Sequence, residues 1–273
     1  MTEAFIYDAI RTPRGKGKPG GALHGVKPID LAVGLIEEMR HRFPDLDENR
    51  ISDVILGIVS PLGDQGMDLP RIAALAAKMP DTVAGVQINR FCASGLSSIN
   101  IAAQKIRSGW DEVVLAGGVE SMSRVPMGTP SILPAKEGLG TYMSEAMNER
   151  FGGVKFSQFT GAEMIAKKHG FSKDEMDAFA LISHKRAKAA TEAGRFKKEI
   201  LPLEVRMLDG THTGEMHTVD EGIRMDATIE SIASVKLISE DGRLTAASSS
   251  QICDGATGVM IVNEQGLKKL GVK

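Results

Sequence analysis

Four short apolar runs fill the first 120 residues, and each of the first three leads into a segment of helical period. The runs are Ala4–Ile10, Val54–Val59, Val83–Ile88 and Glu112–Gly118. Pro28 opens the first helical segment, as a proline tolerates the first turn, with Leu31, Ala32, Leu35, Ile36 and Met39 on its apolar face. Pro70 precedes a second helix over Ile72–Met79. Leu96, Ile99, Asn100, Ala103 and Ile106 mark a third. A βαβαβαβ order demands a parallel or mixed sheet with right-handed crossovers. Such sheets gather reactive groups at the carboxyl ends of their strands.

Beyond Gly118 the long apolar runs stop. Helices are expected over Thr160–His169, Lys173–Ala193 and Ile229–Ser234, with Lys185–Lys188 and Lys197–Lys198 as solvated charge. The sheet signal returns at Gly255–Val262. The organisation read from this is one α/β domain formed by 1–118 and 248–273, interrupted by an inserted loop domain at 119–247. Neither an internal repeat nor a low-complexity segment is evident.

The bulk numbers exclude several classes. The 273 residues are 42% hydrophobic and 25% charged, with a formal net charge of -2. That is a globular composition with no charge excess for nucleic acid or an anionic membrane. No run of about 20 apolar residues offers a membrane span. Cys92 and Cys253 are the only cysteines, too few for a disulfide or metal framework, and a reducing, cytoplasmic compartment is expected. Six histidines (His24, His41, His169, His184, His212, His217) have no Cys or carboxylate at ligand spacing, so no metal is expected. His41, His169 and His184 are expected on exposed helix faces. The basic, glycine-rich Gly15–Gly21 loop lacks the Gly-Lys-Ser/Thr ending of a phosphate-binding loop.

Three segments carry chemistry. In the first, Asn89-Arg90-Phe91-Cys92-Ala93-Ser94-Gly95-Leu96-Ser97-Ser98, a thiol follows a buried strand and meets a helix N-terminus. Unpaired N–H groups and the partial positive charge there favour a thiolate nucleophile. Ala93, Ser94 and Gly95 are small enough for a substrate carbonyl to approach the backbone. An isolated cysteine is more often a core residue, so the flanking residues decide. The second segment is Gly117-Gly118-Val119-Glu120-Ser121-Met122-Ser123, whose glycines let a strand end turn beside another group. The third is Thr245-Ala246-Ala247-Ser248-Ser249-Ser250-Gln251-Ile252-Cys253-Asp254-Gly255, whose hydroxyls and amides suit an amide-bearing ligand such as a pantetheine arm. Asp220-Glu221-Gly222-Ile223-Arg224 adds a guanidinium suited to a phosphate or an adenine face. Arg224 reads equally well as a plain surface arginine, and Met122 as a core residue.

These segments, in this order and with the opening Ala9-Ile10-Arg11-Thr12-Pro13, closely resemble those of the thiolases over essentially the whole chain. The resemblance implies a layered α/β/α fold with a mixed five-stranded sheet and an inserted, mostly helical loop domain. It implies a CoA-dependent acyltransferase that performs reversible Claisen condensation or thiolytic cleavage of 3-ketoacyl-CoA. Cys92 would carry the acyl group as a thioester, Met122 would line the acyl pocket, and Ser250 would contact pantetheine. Arg224 would approach the CoA nucleotide. Acyl-CoA and CoA enter as substrates, with no tightly bound cofactor, and a homodimer or tetramer is implied.

Phe156–Glu163 stands where biosynthetic-type thiolases carry a His-Met-Gly run, so the chain leans toward the degradative or broad-chain type. The family's base histidine and second cysteine lie in a homologous C-terminal domain, and this chain ends where that domain would begin. The expectation is therefore an N-terminal portion, poorly active alone, with an exposed apolar face that promotes self-association. The alternatives are a non-catalytic CoA- or lipid-binding relative and another condensing enzyme of the superfamily.

Overall fold

The computed structural model describes residues 2–154 and 156–270. In chain order its elements are β1 (Phe5–Arg11), β2 (Gly15–Lys16), α1 (Pro28–Arg42), β3 (Ile51–Gly57), α2 (Leu69–Ala76), β4 (Ala84–Ile88), α3 (Ser94–Arg107) and β5 (Val113–Ser121). Then follow α4 (Thr129–Lys136), α5 (Glu145–Phe151), α6 (Gln158–His169), α7 (Lys173–Glu192), β6 (Leu203–Arg206), β7 (His212–His217) and α8 (Ile229–Ala233). The last are β8 (Cys253–Val262) and α9 (Glu264–Lys269). None of the described helices is long and apolar enough to cross a membrane.

The chain forms two compact units. The first comprises 1–130, 197–221 and 253–273; the second comprises 131–196 and 222–252. Residues 197–221, which the sequence assigns to the insertion, therefore pack with the first unit. Their backbone explains why. Arg11 N–H donates to Glu199 O at 2.8 Å, and Leu201 N–H returns the bond to Arg11 O at 2.8 Å. The Arg11 guanidinium forks onto Asp220 at 2.7 and 3.0 Å and reaches Glu199 at 2.7 Å. Burial pushes the Asp220 carboxyl up. The Arg11 fork and the Arg14 N–H outweigh it, holding the group below the ordinary aspartate range.

The sheet of the first unit runs β1-β8-β5-β3-β4, with the two-residue β2 paired beside β8. The three strands β5, β3 and β4 are parallel; β8 is antiparallel to β5, β1 and β2. This is the mixed five-strand arrangement with one short extra piece. The crossover β3-α2-β4 steps outward, and β4-α3-β5 steps back across β3. Right-handed connections must then place α2 and α3 on opposite faces. The core divides accordingly. Leu31, Leu35, Ile36 and Met39 of α1 join Ala73 and Ala74 of α2 against Val54, Leu56, Val113 and Leu115. Ala102 and Ile106 of α3 pack on Ile55, Val114, Ala116 and Ile261 on the other face. Strand β5 is buried on both sides, as a central strand is.

One expectation about this sheet is corrected. Val83–Ile88 reads as a buried strand, but β4 ends the sheet, and its Ala84 and Val86 are exposed. The apolar run identifies a strand; its place at an edge is set by the crossover order.

In the second unit, α7 starts with a capping box between Ser172 and Glu175, and Lys173 bridges to Asp177 and to the carbonyl of Ala233. Glu163 of α6 accepts the N–H groups of Arg243 and Leu244 at 2.6 and 2.7 Å.

Candidate active site

Cys92 lies in the turn that joins the carboxyl end of β4 to α3, and it is exposed. The helix begins at Ser94, two residues on. Phe91 has φ +49°, the left-handed region, and forces the chain back on itself immediately before the cysteine. The turn is closely bonded. Asn89 Oδ1 accepts the Phe91 N–H at 3.0 Å, while Asn89 Nδ2 donates to Val59 O at 3.0 Å. Ser94 N and Oγ both donate to Phe91 O, at 2.9 and 2.6 Å, and Ser94 Oγ accepts the Arg90 N–H at 2.8 Å.

Glycines let the strands close on this turn. A Cβ on Gly57, at the end of β3, would stand 2.4 Å from the Ser94 carbonyl carbon. On Gly117 (φ +155°) it would stand 2.0 Å from Thr257 O. Ser98, which is fully buried, completes the junction: its Oγ lies 2.6 Å from Gly117 O and accepts the Gly117 N–H at 3.1 Å. The Gly-Gly pair thus does bring the chain beside the cysteine turn. It does so from inside β5, which continues to Ser121, and not from a strand end.

Beyond the glycines, Glu120 accepts the Val59 N–H at 2.8 Å and Gln65 Nε2 at 2.9 Å. The fully buried Gln65 also accepts the Ser121 N–H at 2.5 Å, so this pair fixes the exits of β3 and β5 together. Met122 follows, half-buried. Ser123 donates its N–H and hydroxyl to Asp254 at 2.9 and 2.5 Å, and His24 Nδ1 lies 2.8 Å from the Ser123 Oγ. Burial raises the Asp254 carboxyl above the ordinary aspartate value, against the opposing hydrogen bonds from Ser123. Gln65 was not singled out by sequence reasoning, and Ser98 and His24 were named there without these roles. Only contacts across distant segments reveal their roles.

Ser250 and Arg224 belong to the second unit, and both are exposed. The structure brings their loops together: Gln251 Nε2 donates to the Gly222 carbonyl. The Arg224 N–H donates to His184 Nδ1 at 3.2 Å. His184 is half-buried, not freely exposed as its helix position suggests. Burial, then the Arg224 charge, holds its pKa below the ordinary histidine value. Cys253, at the start of β8, takes a hydrogen bond from the Arg14 guanidinium at 3.2 Å. Among the described residues no cluster of three or more His, Cys, Asp or Glu is arranged to hold a metal.

Together the mixed sheet, the strained turn and the glycine junction define an α/β domain that presents an exposed thiol at the carboxyl end of its strands. The chain belongs to the thiolase family: the model of the thiolase N-terminal domain matches residues 4–265. It is 39% identical over 279 residues to the steroid 3-ketoacyl-CoA thiolase FadA6 of Mycobacterium tuberculosis, covering 100% of this chain and 65% of that protein. It is 38% identical to the 3-ketoacyl-CoA thiolase of Bacillus subtilis, covering 100% of this chain and 68% of that one. The crystal structure of the Bacillus anthracis acetyl-CoA acetyltransferase superposes with a TM-score of 0.82 at 31% identity, covering 100% of this chain and 68% of its own. The chain thus spans about two thirds of the length of the curated relatives it matches.

Proposed function

We propose that this chain carries the nucleophile and CoA-side loops of a 3-ketoacyl-CoA thiolase. The observation that carries this reading is the exposed Cys92 on its bonded, left-handed turn at the head of α3. In the proposed reaction the Cys92 sulfur attacks the keto carbonyl of a 3-ketoacyl-CoA. The bond between Cα and that carbonyl carbon breaks, acetyl-CoA leaves after its α-carbon gains a proton, and the shortened acyl group stays on sulfur. CoA thiolate then takes the acyl group, restoring the cysteine. Ser250 is assigned to the pantetheine arm, Arg224 to the CoA nucleotide and Met122 to the acyl pocket. CoA and acyl-CoA are substrates, with no resident cofactor. A homo-oligomer in the cytoplasm, of the degradative or broad-chain type, completes the proposal.

Each of the six histidines has a described contact: Ser123, Glu38, Phe171, the Arg224 N–H, Glu204 and Arg14 O. None is assigned the base that would activate the thiol. The test is intact-protein and peptide mass spectrometry after mixing with acetoacetyl-CoA. An acetyl group on Cys92, absent in Cys92→Ser, is expected. An unmodified Cys92 in the folded chain, or acylation that persists in Cys92→Ser, overturns the reading.

A further inference from the structure

Phe91 is one of three non-glycine residues with positive φ among those described. A phenylalanine Cβ clashes in this region, so the conformation is strained and persists only where neighbours over-determine it. Burial does not compensate for it, since Phe91 is 74% exposed. Hydrogen bonds do: the Asn89 side chain holds the Phe91 N–H from one side, and Ser94 holds the Phe91 carbonyl from the other. Asn89 is in turn fixed through Nδ2 to Val59 O, beyond the end of β3.

We propose that Asn89 is a positioning residue for Cys92: its amide oxygen holds Phe91 in the left-handed conformation and so aims the thiol out of the turn. This rests on the reading of Cys92 as the acyl-carrying sulfur. With the Asn89 oxygen removed, Phe91 relaxes toward negative φ and the peptide plane preceding Cys92 rotates. The thiol then leaves the orientation in which it meets an electrophile. A glycine at 91 reaches positive φ without a Cβ clash, so it no longer needs the Asn89 oxygen. The two residues are therefore coupled in a way that a merely structural asparagine would not be.

The experiment is a double-mutant cycle on the full 273-residue chain, reading the rate of Cys92 alkylation by iodoacetamide with site-resolved mass spectrometry. Asn89→Ala is expected to slow Cys92 alkylation by about tenfold, with circular dichroism unchanged. Phe91→Gly alone is expected to alkylate near the wild-type rate, and the double variant to return to within about twofold of it. Wild-type rates in Asn89→Ala, or a double variant as slow as Asn89→Ala, overturn the proposal; the latter outcome assigns Asn89 to the Val59 contact instead. Should Asn89→Ala not fold, Asn89→Ser and Asn89→Ser/Phe91→Gly carry the same comparison, because serine accepts the same N–H more weakly. Acylation of wild-type Cys92 by acetoacetyl-CoA is measured alongside. Its absence with a rescued alkylation rate removes the thiolase reading and leaves the positioning role; its presence without rescue does the reverse.

Discussion

Gly57 and Gly95 lie in the same junction, yet the structure gives them opposite tolerances. A Cβ on Gly57 would stand 2.4 Å from the Ser94 carbonyl carbon and 2.5 Å from Gly95 N. Both are backbone atoms of a helix that cannot yield without moving α3 off the sheet. Gly57→Ala is therefore expected to destabilise by about 3 kcal/mol in urea unfolding and to slow Cys92 alkylation. At Gly95 an added Cβ would meet only Gly117 O, at 3.8 Å, an ordinary contact. Alanine also favours the first turn of α3. Gly95→Ala is thus expected to stay within about 0.5 kcal/mol of wild-type stability. It should slow acylation by acetoacetyl-CoA, because the methyl occupies space that the attacked keto carbonyl needs. Equal destabilisation of the two variants would contradict this account of the junction. Gly95 and the cysteine were legible in the sequence as a motif, whereas Gly57 was only part of an apolar strand run. Which glycine faces backbone and which faces open space was not legible, since that depends on how β3, α3 and β5 stack.

At the level of elements, α7 and the loop that follows residue 221 share a titratable contact. His184 Nδ1 accepts the Arg224 N–H, so this nitrogen is unprotonated when the contact is made. Its folded pKa lies below the ordinary 6.5 through burial and the Arg224 charge. The unfolded chain then binds more protons than the folded one as the medium becomes acid. The stabilisation is complete above about pH 6.5 and is lost as pH falls through the lowered folded value. His184→Gln is expected to flatten this part of the stability profile between pH 7.5 and 5, read by urea midpoints. An identical slope in wild type and variant would assign the acid sensitivity to other groups. Helix α7 itself was legible, because its capping box and charge pattern are local. The β6–β7 hairpin was not. Apart from the buried His217 its residues are exposed or half-buried, its apolar alternation lasts only the four residues of β6, and Glu204, bonded to His212 and to the Gly214 N–H at 2.8 Å, fixes its register. The edge position of β4 was missed for the same reason: an apolar run reports a strand, while its neighbours are set by the crossovers.

The molecule as a whole has to cover two sheet edges. Near the carboxyl end of β1 the edge is occupied, because Glu199 and Leu201 exchange backbone bonds with Arg11. Among the described residues strand β4 has one sheet neighbour, β3, and its Val86 is 40% exposed. The helix packed on β4 adds Ile72 and Leu75, which are 39% and 46% exposed. An unpaired strand edge with apolar neighbours is a template for another chain, and an isologous pairing of two copies satisfies it with a single closed two-fold contact. The proposed homo-oligomer is therefore expected to be built first as a dimer across β4. Light scattering should give a dimer mass for the wild-type chain. Val86→Lys should shift it to monomer with unchanged circular dichroism, because two lysines would face each other near the two-fold axis. A lysine at Trp110, 86% exposed beyond α3, serves as the control and should leave the mass at dimer. A wild-type chain that stays monomeric over a wide concentration range would remove β4 as an assembly edge. A dimer indifferent to Val86→Lys would move the interface elsewhere and leave the β4 edge to be protected by the strand's own shortness, five residues.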